Sequence, residues 1–234
     1  MKRCLLLAAF FTISLTLASA AQTLTISPNT TAMQVSTLTS VEAWSAISKS
    51  EQARHAAKSF RSKMTTSHEG RDMEMDTEVV CPDRSHTKII QNGQQVSEVF
   101  NIGGTMYMLA GGRTMQMPGH GGGVAAGCPG AENSAGMGPL SRGVPTLNEM
   151  RDINRYKESA KVTKGSMETI AGSLCQDWNI VATDPETHKV SNMTYCIGTA
   201  DNLPRHITSA SANGKFDVTY WDWNKSITIN PPSQ

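Results

Sequence analysis

Apolar and polar residues alternate with a period of two over much of this chain, most plainly where Met73, Met75, Thr77 and Val79 interleave with Glu74, Asp76 and Glu78. No helical period explains that spacing; a strand with one apolar and one charged face does. A turn at Glu69-Gly70 lets the strand be paired with the one before it. With His68 opposite Arg71, Phe60 faces Val79 and Met64 faces Met75, while Arg61 faces Glu78 and Lys63 faces Asp76. Two independent patterns, apolar on apolar and cation on anion, agree on one register. The pattern predicts a sheet that covers something apolar on one side and meets water on the other.

Turn signals follow quickly at Asn92-Gly93, Gly103-Gly104 and Gly111-Gly112, each between short β-prone runs. They predict an antiparallel meander of about six strands. Before the meander, Ser40 reads as an N-cap for a helix carrying Val41, Trp44, Ala46 and Ile47 and ending between Glu51 and Ala57, and Ala21 to Thr39 reads as a flexible lead-in. After it, the glycine-rich stretch from Pro118 to Pro145 predicts a long mobile loop. Leu147, Met150, Ile153 and Tyr156 then fall at helical spacing behind Pro145. Strands are predicted at 160–170, 174–182, 189–198, 205–211 and 215–221, and again at Ser226 to Ile229. A turn at Asn213-Gly214 would pair Ile207 with Tyr220, Arg205 with Asp222 and Ser211 with Phe216. The order of helix, meander, loop, helix and second meander is that of an α+β chain with two sheet halves.

The first 20 residues change the picture of where this fold works. Lys2 and Arg3, an apolar run from Leu5 to Leu17 and the triplet Ala18-Ser19-Ala20 make a signal peptide cleaved before Ala21. The run is shorter than the ~20 residues a spanning helix needs. Cleavage would leave 19 basic against 20 acidic residues, and that balance gives no reason to expect a nucleic-acid partner. It would also leave Cys81, Cys128, Cys175 and Cys196, an even number that in an exported chain favours disulfides. Cys175 and Cys196 sit symmetrically about Asp184-Pro185-Glu186-Thr187, in a register that also pairs Val181 with Val190 and Trp178 with Met193. A cross-strand bridge fits there, and elimination leaves Cys81 with Cys128.

Several short stretches, in this order, resemble the outer-membrane lipoprotein carrier (LolA-like) superfamily and related envelope lipoproteins. They are Ser59-Phe60-Arg61, Glu78 through Arg84, Phe100 through Tyr107, Met167 through Cys175, Leu203-Pro204-Arg205, and Tyr220 through Pro232. The resemblance runs from about Val41 onward. It implies one domain over 41–234 in the form of an incomplete, strongly curved antiparallel β-barrel of about eleven strands, closed by one or two helices. It implies an apolar hollow for an acyl chain or a lipidated protein, no catalysis, a place in the periplasm or cell envelope, and transient contact with a membrane. In carriers a single arginine on an early strand helps to hold the closed state. Arg61 lies in a comparable region, but its register turns it toward Glu78, so the role is not transferred.

Taken with the alternation, this gives an expected apolar lining of Trp44, Phe60, Met64, Met73, Met75, Val79, Met106, Met108, Trp178, Met193, Ile207 and Tyr220, in a monomer needing no cofactor. The methionine doublets Met73 and Met75, Met106 and Met108, and Met115 and Met117 admit three readings. They are core filler, a lining that adapts to variable acyl chains, or soft ligands for Cu(I), with Met115 and Met117 beside His120. A non-carrier structural or sensing module of the envelope is a further alternative. The six histidines show no metal-ligand spacing, no serine sits in a nucleophile elbow, and the glycines near Gly121 lack the Lys-Ser/Thr of a phosphate loop. No catalytic constellation emerges.

Overall fold

The computed structural model describes residues 28–68, 71–118, 128, 160–183, 188, 190–211 and 214–232. Among these residues one helix, α1 (Pro28–Ala56), precedes eleven antiparallel strands: β1 (Ser59–His68), β2 (Arg71–Val80), β3 (Arg84–Gln91), β4 (Gln94–Ile102), β5 (Thr105–Ala110), β6 (Arg113–Pro118), β7 (Ala160–Ile170), β8 (Ser173–Thr183), β9 (Val190–Gly198), β10 (Pro204–Ser211) and β11 (Gly214–Trp221). They form one open sheet in the order β6-β5-β4-β3-β2-β1-β11-β10-β9-β8-β7. The two meanders thus meet where β1 pairs with β11, with Met64 opposite Val218 and Thr66 opposite Phe216. The signal segment, the stretch 119–159 apart from Cys128, and with it the second predicted helix, lie outside the described residues.

The β1–β2 ladder has the register expected from sequence, from Ser59 opposite Val80 to His68 opposite Arg71. Its charged face is paired as the alternation requires. Arg61 donates to Glu78 at 2.8 Å and to Asp222 at 2.6 Å, and Lys63 reaches diagonally to Glu74 at 2.7 Å. Asn92 and Gly93, at φ of 51° and 76°, turn β3 into β4 in the left-handed region that Asn-Gly favours.

Four expectations need correction. First, the helix begins at Pro28 rather than Ser40, so most of the predicted lead-in is helical. Proline suits a first helical position, where its missing N–H is no loss. The buried stripe is also rotated. Ala43, Ile47, Ser50 and Arg54 turn inward at helical spacing, whereas Val41 is exposed. Second, β8 and β9 pair two residues away from the predicted register, with Val181 opposite Asn192 and Trp178 opposite Tyr195. Third, β10 and β11 shift likewise, with Ile207 opposite Val218 and Ser211 opposite Gly214. A slip of two keeps every side chain on its face, so the in-and-out pattern survives both shifts.

Fourth, Ser226 to Ile229 form no strand. That segment is tied down by bonds from the start of the sheet instead. The Lys58 amide donates to Asn224 Oδ1 at 2.8 Å, the Asn224 amide to Ser59 O at 2.9 Å, Ser59 Oγ to Lys225 O at 2.6 Å and Arg84 Nη1 to Ile229 O at 2.9 Å. With its polar groups met in this way, Ile229 is buried without joining a ladder.

Two disulfides fasten the fold. Cys81 joins Cys128, tethering the connection between the two meanders to the end of β2. Cys175 joins Cys196 although Cys175 lies opposite Gly198 and Cys196 opposite Asp177. The bridge is therefore diagonal, across Cα atoms that the twisted ladder brings to 5.4 Å.

Candidate ligand-binding concavity

Counting outward from β1 assigns every strand a face. Phe60, Ser62, Met64 and Thr66 continue through Val79, Thr77, Met75 and Met73 on β2, and through Tyr220, Val218 and Phe216 on β11. The same face carries Ile207, Tyr195 and Trp178 across β10, β9 and β8. Helix α1 packs against this side of the sheet through Ala43 and Ile47, over β7 and β9.

Under α1 the face is filled by the protein's own side chains. Phe60 lies 4.9 Å from Trp223 and 6.0 Å from Tyr220, ring centre to ring centre, and Trp223 Nε1 donates to Pro204 O at 3.0 Å. Val79, Trp178, Tyr195 and Ile207 belong to the same cluster, as do Ile180 and Phe216 at its edge toward the hairpin tips, with Trp44, Met64 and Met193 packed against it. Arg54 reaches in from α1, held by Glu51 at 2.7 Å. Burial pushes the phenols of Tyr195 and Tyr220 up, the latter to about 12, with Glu51 adding to the rise and Arg54 opposing it.

The sign of the resulting pH dependence follows. A folded-state pKa above the unfolded value of about 10 favours the neutral phenol in the native protein. The contribution is complete below about pH 10 and is lost as pH climbs toward 12 and beyond. Urea midpoints should therefore hold steady up to about pH 10 and then fall, and Tyr220→Phe should flatten that fall.

Toward the hairpin tips of β1–β2, β3–β4, β8–β9 and β10–β11 the concave face is open. A cavity of about 940 Å³ is lined there by Thr66, Met73, Ile180, Met193, Ser209 and Phe216 of the inner face, with neighbouring residues of the same strands. Ile90 of β3 and Ile180 of β8 both border it. In a flat sheet those strands, six spacings apart, would be separated by about 29 Å. One cavity touching both is what a curved half-barrel produces.

Of the residues expected from sequence to line a hollow, the described structure therefore places Met73 and Met193 at the cavity. Phe60, Val79, Trp178, Ile207 and Tyr220 lie in the packed cluster, and Met75 is buried beside them on the same face. Met106 and Met108 share the face but lie on the far wing, outside both groups. Sequence reasoning missed the rim: Asn92, Asn179, Asn192, Thr194 and Thr208 border the cavity together with the charged Asp72, Glu74, Lys215 and Asp217. Of these only Asn92 stands in a turn; the others lie within strands, where sequence offers no signal that separates them from other outward polar residues.

The one cluster of potential metal ligands among the described residues, Glu168, Asp177 and Cys196, is not a metal centre, because the Cys196 sulfur is bonded to Cys175. No helix among the described residues is long and apolar enough to cross a membrane.

No protein-family model and no curated protein matches the chain. Among solved structures it is similar to the lipoprotein LppX of Mycobacterium tuberculosis, with a TM-score of 0.56 at 13% identity over 81% of this chain and 99% of that one. It is also similar to LprF from Mycobacterium bovis, with a TM-score of 0.53 at 15% identity over 83% of this chain and 98% of that one. Likeness at such identities establishes the fold alone. The open, single-sheet fold described above is the one these two proteins take.

Proposed function

We propose that the chain is an exported, monomeric binding protein of the periplasm or cell envelope that holds an acyl chain, free or as the lipid of a modified protein, without catalysis. The observation that carries this reading is the cavity of about 940 Å³ on the concave face, with Met73, Ile180, Met193 and Phe216 turned into it and amides, hydroxyls and the charged Asp72, Glu74, Lys215 and Asp217 at its border. Its size falls in the range of ordinary ligand pockets, and its methionines adapt to chains of differing shape. Supporting it are the fold, the two disulfides suited to an oxidising compartment, and the leader-like first 20 residues. Helix α1 acts as the wall that closes one end of the hollow, and delivery would involve a brief encounter with a membrane.

Affinity in such a site comes from burying methylenes at about 0.8 kcal/mol each, with little contribution from directed bonds. Titration with a fluorescent fatty acid, displaced by unlabelled chains, should therefore show one saturable site. Affinity should rise about fourfold per added methylene until the cavity is full, and barely change with the head group. Displacement that follows the head group and ignores chain length would contradict the reading.

A further inference from the structure

The far wing of the sheet carries a feature that acyl binding leaves unused. On β5 and β6, Met106 lies directly opposite Met117 and Met108 directly opposite Met115. The ladder from Val79 through Ser85, Asn101 and Met106 puts all four on the concave face. None of them belongs to the packed cluster or borders the cavity. Met115 and Met117 are 46% and 36% exposed, so they do not serve as core filler. Beside them, Asn101, which faces Met106, holds a buried Oδ1 with no hydrogen-bond partner among the described residues.

We infer that Met106, Met108, Met115 and Met117 form a binding site for a soft monovalent cation, Cu(I) or Ag(I), on the concave face of β5 and β6. Directly opposed residues lie about 5 Å apart and alternate residues of a strand about 7 Å apart, so four Cβ atoms stand at the corners of a small rectangle. Methionine has three rotatable bonds beyond Cα, enough for each sulfur to swing over the centre. Thioether sulfur is a soft, neutral donor that suits Cu(I) and discriminates against calcium, magnesium and zinc. The stronger sulfur ligands are engaged elsewhere, since Cys81, Cys128, Cys175 and Cys196 are all in bridges. A cation over the four sulfurs, or a water bound to it, would also give the Asn101 oxygen a partner. The site is independent of the acyl cavity.

Silver is the probe, because it needs no reductant that would attack the disulfides. The protein used is the exported form beginning at Ala21, which lacks Cys4, so that no cysteine outside the bridges competes. Titration in chloride-free buffer, followed by native mass spectrometry, should show one Ag(I) per chain. Changing all four methionines to leucine, which conserves volume, should weaken binding by at least about tenfold. The fatty-acid uptake of that variant should be unchanged. Met115→Leu with Met117→Leu, both on exposed positions, gives the same reading with less risk to folding. Absence of stoichiometric silver in the unsubstituted quartet would overturn the inference. So would equal binding by the leucine variants, or an equal loss from Met73→Leu with Met75→Leu.

Discussion

Phe60→Ala should lower the free energy of unfolding by about 3–5 kcal/mol, a large part of what a domain of this size has. Phe60 is 7% exposed and touches Tyr220 and Trp223, so truncation removes a large apolar surface and two ring contacts at once. It also stands next to Arg61, where the β1–β11 ladder begins, the one ladder among the described residues that joins the two meanders. Arg61→Ala, one residue away, is the control. That side chain is 35% exposed, its partners Glu78 and Asp222 are similarly exposed, and loss of such surface pairs should cost at most about 1 kcal/mol. Urea unfolding at constant slope measures both. Similar costs for the two would mean that the inner and outer faces of β1 have been misassigned.

Met73→Asp combined with Met193→Asp should reduce fatty-acid affinity by at least about a hundredfold while leaving the far-UV circular dichroism intact. Both residues border the cavity from opposite wings and neither is fully buried, so carboxylates there remain hydrated in the empty protein. A bound alkyl chain would strip that water, and a penalty of about 3 kcal/mol corresponds to the stated loss, at 1.4 kcal/mol per factor of ten. Met75→Asp is not an equivalent test. Met75 is 5% exposed, and a charge at that depth would unfold the sheet rather than empty the cavity. Retained uptake by the double variant would place the ligand somewhere other than between the wings.

How much of this was legible in the sequence depended on whether charges accompanied the apolar alternation. Between β1 and β2, Arg61 with Glu78 and Lys63 with Asp76 face each other just where Phe60 meets Val79, and one register satisfies both patterns. The β8–β9 hairpin has no such opposed charges, and in β10–β11 the expected pair of Arg205 with Asp222 misleads, because Arg205 binds Asp201 and Asp222 binds Arg61. Alternation alone fixes parity, and a displacement of two residues leaves each in-or-out assignment intact. Trp178 was thus correctly turned inward but given Met193 in place of Tyr195 as its neighbour.

The start of α1 was hidden for a different reason. Its first turns are rich in threonine and serine, residues that favour caps and loops by bonding to their own backbone. The division of the concave face was not legible either. Whether an inward residue such as Ile207 or Met193 meets a ligand or a neighbouring side chain depends on where α1 crosses the strands, and no strand records that locally. The tail from Asn224 to Ile229 misled for a similar reason, since Ile227 and Ile229 alternate as in a strand while hydrogen bonds from Lys58, Ser59 and Arg84 hold the segment outside the ladder.

The most direct test is the mass of the protein as it leaves the cell. Purified from the envelope without detergent and examined by native mass spectrometry, it should carry an added mass equal to an acyl-containing lipid. That mass should disappear on mild activation and be absent from the Met73→Asp, Met193→Asp variant. A spectrum of bare protein, joined to a failure to take up fatty acid when it is supplied, would contradict the account.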